Sequence, residues 1–128
     1  IDPPYNQHPY GPNYFMLNLI ANSQRPDCEK ISRVSGIPKD WNRSSFNRKR
    51  DAAESFTNLV SSLRAKYLMV SFNSEGYISK NEMINILEKV GTVTVLDISY
   101  NAFKGSRNLK NRDIYVSEYL FIVKKHKV

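Results

Sequence analysis

The sequence predicts an α/β fold, and three observations predict it. An apolar stripe at helical spacing (Ala52, Ala53, Phe56, Leu59, Val60 and Leu63) runs almost directly into a short apolar strand at residues 67–71. A second helix signal follows at once: Ser79-Lys80-Asn81-Glu82 forms a capping box ahead of Met83, Ile84, Ile86, Leu87 and Val90. Two stretches rich in β-branched residues, 92–99 and 115–124, then have no helix signal between them and read as an antiparallel hairpin.

The elements can be justified in order. The chain opens with Ile1-Asp2-Pro3-Pro4-Tyr5. Consecutive prolines have fixed φ and no N–H, so neither strand nor helix continues through them. Asp2, ahead of Pro3, is held extended. The stretch therefore reads as a strand end opening into a stiff loop that offers a carboxylate, carbonyls without competing donors, and a flat ring. A planar polar ring bearing an amino group suits those features. Gly11-Pro12 then marks a helix start. Phe15, Met16, Leu17, Leu19 and Ile20 make that helix apolar on most sides, which predicts a buried helix ending near Asn22.

Residues 23–45 show no period and contain Pro26, Gly36 and Pro38, so they read as a long loop. Its end is basic, with Lys39, Arg43, Arg48, Lys49 and Arg50 around Trp41 and one acid, Asp40. Interleaved cations and aromatics can hold phosphates and stack on bases. A solvated loop anchored by one Trp would look the same. The amphipathic helix then spans roughly 47–64, and the strand at 67–71 ends in Phe72-Asn73-Ser74-Glu75-Gly76, a turn. In open α/β sheets ligand loops lie beyond the carboxyl ends of strands, so this turn and the Asp2 loop should share one sheet edge. The second helix runs from Ser79, with Gly91 as its stop. The hairpin has a long tip at 100–113 carrying Lys104, Arg107, Lys110 and Arg112. Such a tip suits phosphate binding, or serves as a solubilising loop that protects a sheet edge.

At 128 residues the chain is one domain, able to bury a core. Its net charge of +7 points to a polyanionic partner or to a basic soluble domain. The lone Cys28 excludes an internal disulfide, fits a reducing, cytoplasmic compartment, and has no companions for zinc. No run of residues is apolar enough to span a membrane.

Asp2-Pro3-Pro4-Tyr5-Asn6-Gln7, followed by Tyr10 and Asn13-Tyr14, then by residues 67–76, then by Glu118-Tyr119-Leu120-Phe121-Ile122-Val123-Lys124, resembles in that order the carboxyl-terminal half of the Dam-like (alpha-type) adenine-specific DNA amino-methyltransferases of bacterial restriction–modification systems. The resemblance covers nearly the whole chain. It implies the second half of a Rossmann-like, S-adenosylmethionine-dependent sheet, with parallel strands and a last antiparallel strand inserted at one end. It also implies catalytic roles for Asp2, Pro3, Pro4 and Tyr5, and a base-pocket role for the turn that holds Asn73 and Glu75. Double-stranded DNA is the implied partner, met by Arg43, Arg48, Lys49 and Arg50 and by the hairpin tip. The glycine-containing cofactor loop of that family precedes the Asp-Pro-Pro-Tyr motif, and the glycines here are isolated. The chain by itself is thus expected to be inactive, to lack the main cofactor site, and to pair with an amino-terminal half or with itself. No metal is implied.

Two other readings fit the residues. One is a basic nucleic-acid-binding module without catalysis, in which the Asp-Pro-Pro-Tyr turn is only structural. The other is an amino-methyltransferase acting on another planar amine or amide, such as glutamine; there the corresponding motif usually begins with Asn, so Asp2 favours adenine. Replacing Lys104, Arg107, Lys110 and Arg112 together by Ala in the complete enzyme should weaken DNA binding and flatten its dependence on salt, each lost phosphate contact lowering the log–log slope by about 0.9. Binding titrations at several salt concentrations check this, and an unchanged slope would contradict it.

Overall fold

Alternating apolar residues decide which face of each strand is buried. In the computed structural model, which describes residues 1–41, 43–101 and 115–127, strands β1 (Tyr67–Asn73), β2 (Gly91–Asn101) and β3 (Tyr115–Lys125) form one three-stranded sheet in the order β1-β3-β2. Both ladders are antiparallel, with Val70 opposite Phe121 and Phe121 opposite Val95. The expected pairing of the last two strands is present and runs from Gly91↔Lys125 to Asn101↔Tyr115. The last strand lies between the other two, so β1 and β2 share a direction without sharing a hydrogen bond. The parallel ladders expected from the sequence are therefore not found among the described strands. The hairpin tip, with Lys104, Arg107, Lys110 and Arg112, lies outside the described residues.

Three helices accompany the sheet: α1 (Tyr10–Ala21), α2 (Lys49–Ser62) and α3 (Lys80–Glu88). The core lies between one sheet face and the last two. Leu68, Val70 and Phe72 of β1 and Phe121 and Val123 of β3 meet Ala52, Phe56 and Val60 of α2 and Met83, Ile86 and Leu87 of α3. Fully burying a large apolar side chain contributes about 1.5–3 kcal/mol, so this cluster carries most of the stability. Lys125 Nζ, at the end of β3, donates to the carbonyls of Val60 (3.1 Å) and Leu63 (2.6 Å). It satisfies the carboxyl end of α2 and complements its dipole. The capping residue of α3 is as expected, with the Ser79 hydroxyl accepting from the Glu82 N–H.

Two expectations need correction. The helix read as buried, α1, has no buried residue; Met16 and Leu17 are exposed, and Ile20 is 71% exposed. Its apolar residues surround the axis, so no one face is set aside for this core. It ends in a left-handed turn, with Ser23 at φ 51°, the Ser23 N–H bonded to the Ile20 carbonyl and the Gln24 N–H to the Leu19 carbonyl. Gly91 does not stop α3. The helix ends at Glu88, and Gly91 opens β2, where a Cβ would run into the Lys124 carbonyl of the adjacent strand. The glycine answers a close backbone approach, not a left-handed cap. The expected loop contains short local structure: Asp27 caps a 3-10 turn at Cys28–Lys30 and an isolated bridge joins Ile31 to Pro38, and a second 3-10 turn follows at Ser45–Asn47.

The sheet face turned away from the core carries exposed apolar residues, although Val116 on it is buried. Met69, Leu96 and Ile98 are all at least half exposed on it. The contrast between two glycines gives a direct test of the packing. Gly91→Ala should lower unfolding free energy by about 1–3 kcal/mol, the usual result of forcing volume into a packed site. Gly11→Ala, with nothing near its Cβ, should be neutral or stabilising by up to about 1 kcal/mol. Urea unfolding midpoints distinguish the two.

Candidate active site

Ile1 lies along the free edge of β1. Its nitrogen donates to the Met69 carbonyl (2.6 Å), and its own carbonyl accepts from the Ser71 N–H (2.9 Å). These bonds deliver the following residues to the carboxyl end of β1. There the Tyr5 carbonyl accepts from the Tyr77 N–H at 2.8 Å, and the Tyr5 ring meets Phe72 edge-on with centroids 6.0 Å apart. The Asp2 loop and the 72–76 turn thus share one sheet edge, as the sequence predicts.

Within the corner, the Pro3 ring is buried and Pro4 is half-buried, while Asp2 is exposed. Among the described residues no group donates to the Pro3 carbonyl and no cation pairs with Asp2. The corner therefore presents an exposed acceptor carboxylate beside a carbonyl that the described residues leave without a donor. Tyr5 is half-buried and, with Pro4, Asn6, His8, Tyr10 and Asn13, lines a cleft of about 270 Å³. Burial, reinforced by the negative charge of Glu118, holds its hydroxyl above the usual tyrosine range, with Asn73 alongside pulling the other way. Tyr5 is thus a neutral phenol at physiological pH, with a ring suited to stacking.

The loop beyond is tied down from several directions. Asn47 Nδ2 donates to the Asn6 carbonyl at 2.9 Å across 41 positions of sequence. The Tyr77 hydroxyl donates to Gln7 Oε1 at 3.1 Å, and Asn6 Oδ1 accepts from the His8 N–H at 2.9 Å. Asn47 is 7% exposed.

The other residues singled out in the sequence fall as follows. Asn73 is 4% exposed, and its Oδ1 accepts from the Glu75 N–H. It reaches the corner through Tyr5, and neither it nor Glu75 lines the cleft. Arg43 stacks on Trp41, with its guanidinium carbon 4.1 Å from the ring centroid. Arg48 and Arg50 both pair with Asp51, at 3.6 and 2.7 Å. Such exposed pairs are worth at most about 1 kcal/mol, so they exchange readily for a stronger anion. Because Asn47 belongs to this segment, the basic run flanks the corner. A larger cleft, about 380 Å³ beside Lys89, Lys125, His126 and Lys127, lies at the opposite end of the sheet. Its Lys125 is already committed to the end of α2.

Sequence reasoning missed Asn47, Tyr77 and Glu118 as neighbours of the corner. Asn47 reads as a residue preceding a helix, and no spacing rule links it to Asn6. Glu118 lay within a quoted motif, but its place opposite Asn73 depends on register.

The chain as a whole has relatives among known proteins. The chain is 36% identical over 123 residues to the Type II methyltransferase M.CviAII of Paramecium bursaria Chlorella virus 1, a match covering 96% of this chain and 36% of that protein. It is 31% identical over 127 residues to the Type II methyltransferase M.NlaIII of Neisseria lactamica, covering 98% and 37% respectively. It is 29% identical over 130 residues to the modification methylase StsI of Streptococcus sanguinis, covering 98% and 19%. Over nearly its whole length the chain is therefore related to part of the Type II DNA methyltransferases, the class its opening motif resembles. It spans little more than a third of two of these relatives and about a fifth of the other. No family model and no solved structure matches it.

Proposed function

We propose that this chain is the base-binding part of a DNA adenine methyltransferase of a restriction–modification system. The observation that carries the reading is the corner itself: an exposed Asp2 carboxylate and a Pro3 carbonyl that accepts from no described group, next to a half-buried neutral Tyr5 that lines a cleft. An adenine amino group is a poor nucleophile because its lone pair is delocalised into the ring. Hydrogen bonds from that nitrogen to Asp2 and to the Pro3 carbonyl favour a pyramidal amine and free the lone pair. Asp2 acts there by position and charge, a fixed acceptor that needs no reorganisation. Tyr5 stacks on the ring once the nucleotide has swung out of the duplex, since a base inside the stack cannot reach such a cleft. Cys28 is exposed and has no role in this scheme.

S-adenosylmethionine, the donor implied by the family, supplies an electrophilic methyl group. The described residues do not fit it: Gly36, the described glycine with positive φ, sits in an exposed turn with nothing within 4 Å of where a Cβ would stand, and among the described residues no glycine-rich turn follows a strand. The cofactor is assigned to polypeptide outside this chain, in keeping with the larger size of the relatives. The uncovered side of the sheet and the apolar surface of α1 offer that polypeptide, or a second copy, a place to pack. The bonds made by Ile1 flank Val70 as a parallel neighbour of β1 would, which favours a larger Rossmann-like sheet continuing on that edge. Duplex DNA is the substrate, its phosphates met by Arg43, Arg48, Lys49 and Arg50 and by the cations of the hairpin tip.

Asp2→Ala in the complete enzyme should lower turnover by at least about 10²–10³-fold, the usual effect of losing a transition-state hydrogen-bonding partner, while DNA affinity is retained. Transfer of labelled methyl groups to unmodified DNA, alongside binding titrations, checks both. Near-normal turnover would refute the role of Asp2. Tight DNA binding by a wild-type enzyme that transfers no methyl group would favour the non-catalytic module.

A further inference from the structure

Among the described residues the buried polar side chains are Asn47 and Asn73, and both serve one short stretch of chain. Asn73 lies beside the hydroxyl of Tyr5, and Asn47 donates to the carbonyl of Asn6. Burying a carboxamide costs free energy unless its hydrogen bonds are made. A bond that reaches across 41 residues to the segment after a reactive corner is a costly way to hold an ordinary loop.

We propose that Asn47 is a positioning residue for methyl transfer: its buried carboxamide fixes the peptide following Tyr5 and so sets where the Tyr5 ring stands in the corner. The proposal rests on the methyltransferase reading given above. Pro3 and Pro4 have no N–H groups, so the corner cannot fasten itself to a ladder. Its position is imposed at the two ends. Before the corner, Ile1 is bonded to Met69 and Ser71. After it, two successive carbonyls are held from different elements, that of Tyr5 by the Tyr77 N–H and that of Asn6 by Asn47 Nδ2. Holding both peptide planes fixes the direction in which the Tyr5 side chain leaves the backbone.

Asn47 is a firm mount for this purpose. It closes the 3-10 turn at Ser45–Asn47, whose first N–H groups are capped by Ser44, and α2 begins two residues later. That helix is fixed in the core by Ala52, Phe56 and Val60. The same segment bears Arg48, Lys49 and Arg50, the cations proposed to meet DNA phosphates. The backbone-binding residues and the base-binding corner therefore share one support. Rigid support of reactive groups is what keeps a site within the tolerance that catalysis needs.

The test uses Asn47→Asp and Asn47→Ser in the complete enzyme. The first keeps the shape but exchanges the donor for an acceptor facing a carbonyl; the second is small and leaves room for a water. Both should lower kcat by about 10- to 100-fold, the scale of a misplaced reacting group, with little change in KM for DNA. Hydrogen–deuterium exchange should speed up in the peptide covering residues 2–9 and remain unchanged across α2 and β1. Wild-type kcat in both variants, or accelerated exchange spread through α2 and the sheet, would overturn the positioning role, the second because it marks general destabilisation. An inactive wild type would overturn the methyltransferase reading and this proposal with it, whereas an active wild type with indifferent Asn47 variants would overturn this proposal alone.

Discussion

A proline pair cannot take part in a hydrogen-bond ladder as a donor, and the structure depends on how that deficit is met. The Asp-Pro-Pro-Tyr corner is held by its flanks and not by its own backbone: Ile1 along the edge of β1 on one side, Tyr77 and Asn47 on the other. The same deficit is useful chemically. Among the described residues the Pro3 carbonyl accepts no hydrogen bond and the Asp2 carboxylate pairs with no cation, so neither acceptor is taken up by them. The stiffness comes from the two proline rings, which fix φ, while the two missing amide hydrogens leave the corner with fewer donors of its own.

The core explains why such a corner can be carried by so small a sheet. Phe56, Val60, Met83, Leu87, Val70, Phe121 and Val123 are fully buried and join α2, α3, β1 and β3 into one cluster. Each element that touches the corner is rooted there. β1 supplies the edge for Ile1, the turn after β1 supplies Tyr77, and the turn before α2 supplies Asn47. In contrast, α1 and the far sheet face contribute nothing buried from α1 and leave Met69, Leu96 and Ile98 exposed. The molecule has a well-packed side that bears the site and another with exposed apolar residues, which accords with the small share of its relatives that the chain spans.

Much of this was legible in the residues, for identifiable reasons. The stripe through Ala52, Phe56 and Val60, the cap at Ser79 and the two β-branched strands are local signals, and the structure places α2, α3, β2 and β3 close to where they point. The corner was legible because two prolines leave little conformational choice. What failed depended on partners distant in sequence. The apolar residues of α1 promise burial but do not say against what, and this chain does not provide it. Gly91 looked like a helix stop because the approach of Lys124 is invisible until strands pair. The burial of Asn73 beside Tyr5 also had no local signal, since it follows from the pairing of β1 with β3. Asn47 carried no signal at all, since a bond across 41 residues has no pattern in one sequence.

The central claim is that the corner presents an extruded adenine for methylation at its amino group. The most direct measurement is to incubate the complete enzyme with unmodified duplex DNA and methyl-labelled S-adenosylmethionine, digest the DNA, and separate the nucleosides. The account predicts label in deoxyadenosine methylated on its exocyclic amino nitrogen. Label in a cytosine nucleoside, or DNA left unlabelled by an enzyme that binds both DNA and cofactor, would contradict it.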